Sequence, residues 1–179
     1  MKISCDTGFK IYHNSVPYVY HPLGEDERNV IGTAASINHL HYQAVLGEFP
    51  IEKLERETSV DETTFILKNY PGLNAVFCGK DAAQRAFEGI RNLDEGGYAH
   101  TIFISGNDIY VFPRKKEAPD LTLKKAGGYE IAGRLVLSDV MENGKMTRCG
   151  RMLFEEMTYE NVRDALREVV YAPGEFDIK

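Results

Sequence analysis

Apolar residues recur at helical spacing in two stretches of the chain. In the first, Ala83, Ala86, Phe87, Ile90 and Leu93 share one face of a predicted helix. Asp81 stands at its N-cap with Gln84 three residues on, the pattern of a capping box, and Gly96-Gly97 supplies the stop. In the second, Val162, Ala165, Leu166, Val169 and Val170 form one stripe, opened by Thr158 and closed by Pro173-Gly174. Between them, Thr101 to Ser105 and Ile109 to Pro113 are β-branched and aromatic, and Gly106-Asn107 offers the positive-φ positions of a hairpin turn. Leu135 to Leu137 reads as a further strand. Upstream, Phe65 to Leu67 and Asn74 to Cys78 read as strands on either side of the turn signal Asn69-Tyr70-Pro71-Gly72.

The first half is less regular. Ile3 to Cys5 and Val16 to Tyr20 suggest short strands, and Pro22 to Arg28 a polar loop. Ala34 to Leu46 reads as one central strand or two short ones, ended at Phe49-Pro50-Ile51. Glu52 to Thr64 is charged without a clear period, which suggests a loop or short helix. Strands and helices are mixed with no βαβ rhythm, so the expected class is α+β with an antiparallel sheet. No internal repeat is visible.

Composition narrows the picture. At 179 residues, the chain suits one domain with a real core. Its 21 Lys and Arg against 27 Asp and Glu leave a formal charge of −6 with no long basic run, so no nucleic-acid partner is expected. Cys5, Cys78 and Cys149 are odd in number and far apart. They read as inert thiols, not as a disulfide framework or zinc site. No segment approaches the roughly 20 apolar residues of a membrane span, so a reducing, cytoplasmic setting without membrane contact is expected.

The candidate chemistry lies in Asn38-His39-Leu40-His41-Tyr42-Gln43. If this stretch is extended, His39, His41 and Gln43 project from one face, and Leu40, Tyr42 and Ala44 from the other toward a core. Polar groups at this spacing are costly to bury unpaired, and a phosphate or a metal would give them partners. A neutral imidazole at His41 can attack an α-phosphorus and carry the nucleotide covalently. Gln43 can donate its amide to a phosphate oxygen, and His39 can orient its neighbour. A metal would need a third ligand. Glu48, Glu52 and His100 offer none at diagnostic spacing, and neither metal nor cofactor is expected. No GxSxG elbow surrounds Ser36.

The stretch from Asn29 to Gln43 (NVIGTAASINHLHYQ), followed by Phe49-Pro-Ile-Glu-Lys53, resembles the core of GDP-L-galactose and GDP-D-glucose phosphorylases. These belong to the galactose-1-phosphate uridylyltransferase branch of the histidine-triad superfamily. Thr101 to Ser105, Ile109 to Pro113, Tyr129-Glu-Ile-Ala-Gly133 and Thr158 to Val170 are similar in kind and order. The resemblance implies a histidine-triad-like antiparallel sheet with flanking helices over residues 29–179, behind a divergent segment 1–28. It implies that His41 is the nucleophile, that Gln43 contacts the transferred phosphate, and that His39 is the first motif histidine. The implied reaction moves a nucleotide from a nucleoside-diphosphate sugar to phosphate or a sugar phosphate.

In that family about half a domain precedes the Asn29 equivalent, and residues 1–28 do not resemble it. Three outcomes stay open: a non-catalytic nucleotide-binding or assembly relative, a partner chain that completes the sheet, or an N-terminal segment that closes it differently. Hydrolysis by the same histidine is a further alternative, and a homodimer is expected from the sheet edge. Asn38, Lys53 and Arg114 are the candidate ligand-binding residues beside the triad. Lys53 also fits a solvated surface position. Arg114-Lys115-Lys116 fits a solvated loop as well, and Arg134 has a similar standing. Glu130 suits a structural role, His100 a surface or strand-edge position, and His13 and His21 have no assigned role.

Overall fold

The computed structural model describes residues 8–15, 41–116, 119, 126–136, 140–142, 145–148, 154–155, 157–173 and 175. A seven-stranded sheet dominates these residues. Its strands are β1 (Phe9–Asn14), β2 (Gln43–Leu46), β3 (Arg56–Asp61), β4 (Thr64–Leu67), β5 (Ala75–Phe77), β6 (Ala99–Ser105) and β7 (Asp108–Arg114). They lie in the order β2-β1-β6-β7-β5-β4-β3, and every described pairing is antiparallel. The helices are α1 (Ala82–Glu95), a single turn α2 (Gly128–Ile131) and α3 (Tyr159–Val169). A small ribbon, β8 (Val140–Glu142) and β9 (Lys145–Arg148), stands apart from the sheet. This is the expected α+β class with an antiparallel sheet and flanking helices.

Side-chain alternation divides the sheet into two faces. One carries Tyr12, Val76, Phe103, Tyr110 and Phe112, which pack with Phe49, Ile51, Ile131 and Val169 into the main core. The other carries Ala75, Phe77 and Val111, covered by Ala82, Ala86 and Leu93 of α1. With both faces covered, β6 is buried without a break from Ala99 to Phe103.

Most elements match the hydrophobic pattern, and the departures have local reasons. In α1 the buried stripe is Ala82, Ala86 and Leu93, while Phe87 is exposed. Asp81 makes no side-chain cap, and Gln84 donates to Glu88 at 2.8 Å in place of closing a capping box. Thr158 does cap α3, accepting from the Asn161 N–H at 3.2 Å. The β6–β7 hairpin turns on Gly106-Asn107, and only Gly106 takes a positive φ, at 58°, as a type II′ turn requires. Residues 52–64 hold the end of a 3₁₀ turn at Pro50–Lys53 and then β3, in place of the expected loop or short helix. Leu135 and Val136 are exposed and lie in no strand. The expectations for Ile3 to Cys5, Val16 to Tyr20, the Pro22 to Arg28 loop, and residues 30–40 fall outside the described residues.

Two features lock the sheet near β2. At Gly128 an added Cβ would stand 2.6 Å from the Tyr12 ring, so only glycine lets α2 lie this close to β1. Glu52 accepts from the Phe49 N–H at 2.6 Å, from Lys10 at 2.7 Å and from Ser105, tying the 3₁₀ turn to β1 and β6. Burial pushes the Glu52 carboxyl upward, but these hydrogen bonds outweigh it and hold the group below its ordinary range.

Candidate active site

The candidate strand β2, a short strand of four residues, is the outermost strand of the described sheet; of the two expectations for Ala34 to Leu46, one central strand or two short ones, the described part fits a short strand. It pairs with β1 in the register Phe9↔Leu46, Lys10↔Val45, Ile11↔Ala44 and Tyr12↔Gln43. Partners in a register share a face, so Gln43 lies beside Tyr12 on the face of the main core. Gln43 is exposed there, available to a solute. Tyr42 and Ala44 were expected to point into a core, yet both are exposed, Tyr42 at 51%. Ala44 lies on a four-residue strand at the edge of the described sheet and Tyr42 just before it, where few described neighbours cover this face.

His41 lies two residues before β2, is half-buried, and stands beyond the terminal ladder pair Tyr12↔Gln43. His13 of β1 donates its Nδ1 proton to the His41 carbonyl at 2.7 Å. The two rings meet edge to face, with centroids 6.3 Å apart, and the His13 ring lies 5.1 Å from that of Tyr42. His13 belongs to the segment that has no counterpart in the resemblance. Its spacing from the motif, 28 residues, gave no signal; only strand pairing brings the two together.

Asn14, Thr101 and Arg114 form a buried relay further along the face that carries Tyr12. Arg114 Nη1 donates to Thr101 Oγ1 at 3.0 Å, and Thr101 Oγ1 donates to Asn14 Oδ1 at 3.0 Å. Arg114 was expected to face an anionic ligand. It is 0% exposed, and its Nε also donates to the Val169 carbonyl at the end of α3. These contacts tie the end of α3 to the sheet. Lys115 and Lys116 pair with Glu175 and Glu168. Lys53 is 71% exposed and pairs with Glu48 at 2.8 Å, past the far end of β2 from His41. That pairing raises the Lys53 pKa. His39 and Asn38 lie outside the described residues, so of the motif's expected site residues His41 and Gln43 are the described ones, two positions apart, with Gln43 opening β2.

Glu130 accepts from the Gly127 N–H at 2.9 Å, which fits the structural role. Burial raises its pKa, and it in turn adds to the rise that burial imposes on the Tyr12 phenol. Arg134 stacks 4.7 Å over Phe49 and donates to the Glu48 carbonyl at 2.6 Å, holding the loop after β2. His100, expected at a surface or strand-edge position, is buried. Burial lowers its pKa against the opposing pull of Asp94 at 3.6 Å. Burial pushes the Cys78 thiol up to about 11, as expected of an inert cysteine. Among the described residues no group of three or more His, Cys, Asp or Glu is placed to hold a metal ion. No helix among them is long and apolar enough to cross a membrane.

No family model and no curated protein sequence matches the chain. Solved structures do. The chain is similar to yeast Ap4A phosphorylase Apa2 in complex with Ap4A, with a TM-score of 0.59 and 12% identity over 92% of this chain and 55% of that one. It is similar to the same enzyme in complex with AMP, with a TM-score of 0.59 and 10% identity over 94% and 58%. The chain thus spans just over half the length of the structures it matches. At this identity the likeness is one of fold, and that fold is histidine-triad-like.

Proposed function

We propose that the chain processes nucleotides by nucleotidyl transfer through His41. The observation that carries the reading is the placement of His41 and Gln43 at the sheet edge, with Gln43 in register with Tyr12. The fold shared with a dinucleotide phosphorylase supports it. The His41 ring nitrogen attacks the α-phosphorus, a P–N bond forms, and the P–O bond to the leaving phosphate or sugar phosphate breaks. Gln43 donates to a non-bridging oxygen as charge builds there. Phosphate or a sugar phosphate then attacks the same phosphorus and releases the imidazole. His39 and Asn38 complete the phosphate site in this reading, and Lys53 reaches only a distal part of the substrate.

The preferred substrate is a nucleoside-diphosphate sugar, on the strength of His39-Leu40-His41-Tyr42-Gln43 together with Phe49-Pro50-Ile51-Glu52-Lys53. A dinucleoside polyphosphate is the alternative that the fold comparison favours. Mixing the protein with GDP-sugar, UDP-sugar and Ap4A should give a nucleotide-sized mass increase that His41→Ala abolishes. No labelling by any of the three, under conditions that label an authentic phosphorylase, would overturn the reading. Nucleotide that raises the melting temperature without turnover would mark a binding relative. Product formed equally well without phosphate would mark a hydrolase.

Because β2 is outermost in the described sheet, with Leu46 exposed on it and Tyr42 exposed just before it, a second copy or another chain is the proposed cover for this edge.

A further inference from the structure

We infer that His13 is a positioning residue for His41, supplied by a strand that lies outside the motif. The inference rests on the reading of His41 as nucleophile. The β1–β2 ladder ends at Tyr12↔Gln43, so residue 41 stands beyond the last strand pair. An imidazole that must attack in line needs its Cβ direction held, and that direction is set by the peptide planes on either side of its Cα. The plane after residue 41 contains the carbonyl to which His13 Nδ1 donates at 2.7 Å. The same ring meets the His41 ring edge to face and flanks Tyr42 at 5.1 Å. One side chain therefore touches residue 41 through its carbonyl and its ring, and also touches the next residue.

His13 is well placed to act as a fixed post. β1 is an inner strand, paired on one side with β2 and on the other with β6, where His13 stands opposite Ile102. Ile11 on the same face is buried, and Ser15 and His100 exchange hydrogen bonds just beyond, at 2.9 Å and 2.8 Å. The post is anchored at both ends, while the strand it steadies is short and outermost. A proton on Nδ1 is required for the contact, so a ring without a donor fails and an amide donor at the same reach succeeds.

The test compares wild type, His13→Phe and His13→Asn, with the melting temperature of each as a folding control. Phenylalanine keeps the ring and removes the donor. Asparagine keeps a donor near the Nδ1 position and removes the ring. Labelling by whichever nucleotide modifies His41 should slow about 10- to 100-fold in His13→Phe at saturating nucleotide. The half-saturating concentration should change less than about threefold, since the contact is not with substrate. His13→Asn should recover most of the rate. Labelling of His13→Phe at the wild-type rate, or no recovery in His13→Asn, would overturn the inference.

A second readout separates this inference from the nucleophile reading. In ¹⁵N spectra, His13→Phe should shift the His41 ring signals and the Tyr42 amide, and His13→Asn should restore the Tyr42 amide. Unchanged signals in His13→Phe would overturn the inference whatever the labelling. A wild type that no nucleotide labels sinks the nucleophile reading and the catalytic half of this one, while the spectra still decide whether His13 holds residue 41.

Discussion

Arg114 shows how far a residue's role depends on what surrounds it. In the sequence it opens a basic run and suits an anion site; in the fold its guanidinium spans Thr101 and the Val169 carbonyl. It caps the end of α3, where the helix carries partial negative charge. Lysine lacks the planar fork needed to reach both partners. Arg114→Lys should therefore cost on the order of 2–4 kcal/mol in urea unfolding, as one or two charge-assisted hydrogen bonds would. A loss below about 0.5 kcal/mol would contradict the assignment. Gln43 is the opposite case: exposed, in strand register, and directed at solvent. Gln43→Ala should leave the unfolding midpoint unchanged and slow labelling about 10²- to 10³-fold, the usual effect of removing one donor to a developing oxyanion. His100 links burial to pH. Its folded pKa lies below its unfolded value of about 6.5. The unfolded chain therefore takes up this proton first, and stability falls as pH drops. The contribution is full above about pH 6.5 and is lost as pH falls through the depressed folded value. A plot of melting temperature against pH should be flatter across that window in His100→Phe than in wild type.

At the scale of elements, the two long helices and the β6–β7 hairpin were legible because each states its own period and its own stops. Gly96-Gly97, Gly106-Asn107 and the Thr158 cap all stand where the chain ends or turns. β3 was not legible, because Arg56 and Glu57 show no alternation that distinguishes a strand from a charged loop. The stripe of α1 was misjudged for a related reason. Small alanines at 82, 83 and 86 fit several registers of the face, and contact with Phe77 and Val111 selects the one that exposes Phe87. The contact of α2 with β1 is the tightest test of this layer. Gly128→Ala would drive a methyl to 2.6 Å from the Tyr12 ring. It should destabilise the fold by about 1–3 kcal/mol, and Gln43→Ala labelling kinetics should not be reproduced by it unless β1 shifts β2.

For the whole molecule, the sheet order decides what the site is made of. β1 comes from the segment with no counterpart in the resemblance, yet it is inserted between β2 and β6 and is the only described neighbour of the site strand. Among the described residues β2 then lies outermost, where a second copy or another chain is the proposed extension of the sheet. Sedimentation at micromolar concentration should show a species larger than a monomer, and a Leu46→Lys variant should shift it toward monomer by placing charge on the exposed strand. A clean monomer in the wild type would remove the case for a completing copy of this chain.

Local order was readable wherever the chain signals itself. The class, the hairpin and the closing helix all follow from residue type and spacing, as does the proposal for His41 and Gln43, since period, turn residues and side-chain donors are properties of short segments. The fate of Arg114, the burial of His100 and the meeting of His13 with His41 were decided only by the folded chain. Each depends on strands far apart in sequence becoming neighbours, and no short window contains that information. The pairing of β1 with β2 and β6 is what turns a histidine without a role into the side chain that steadies the candidate nucleophile.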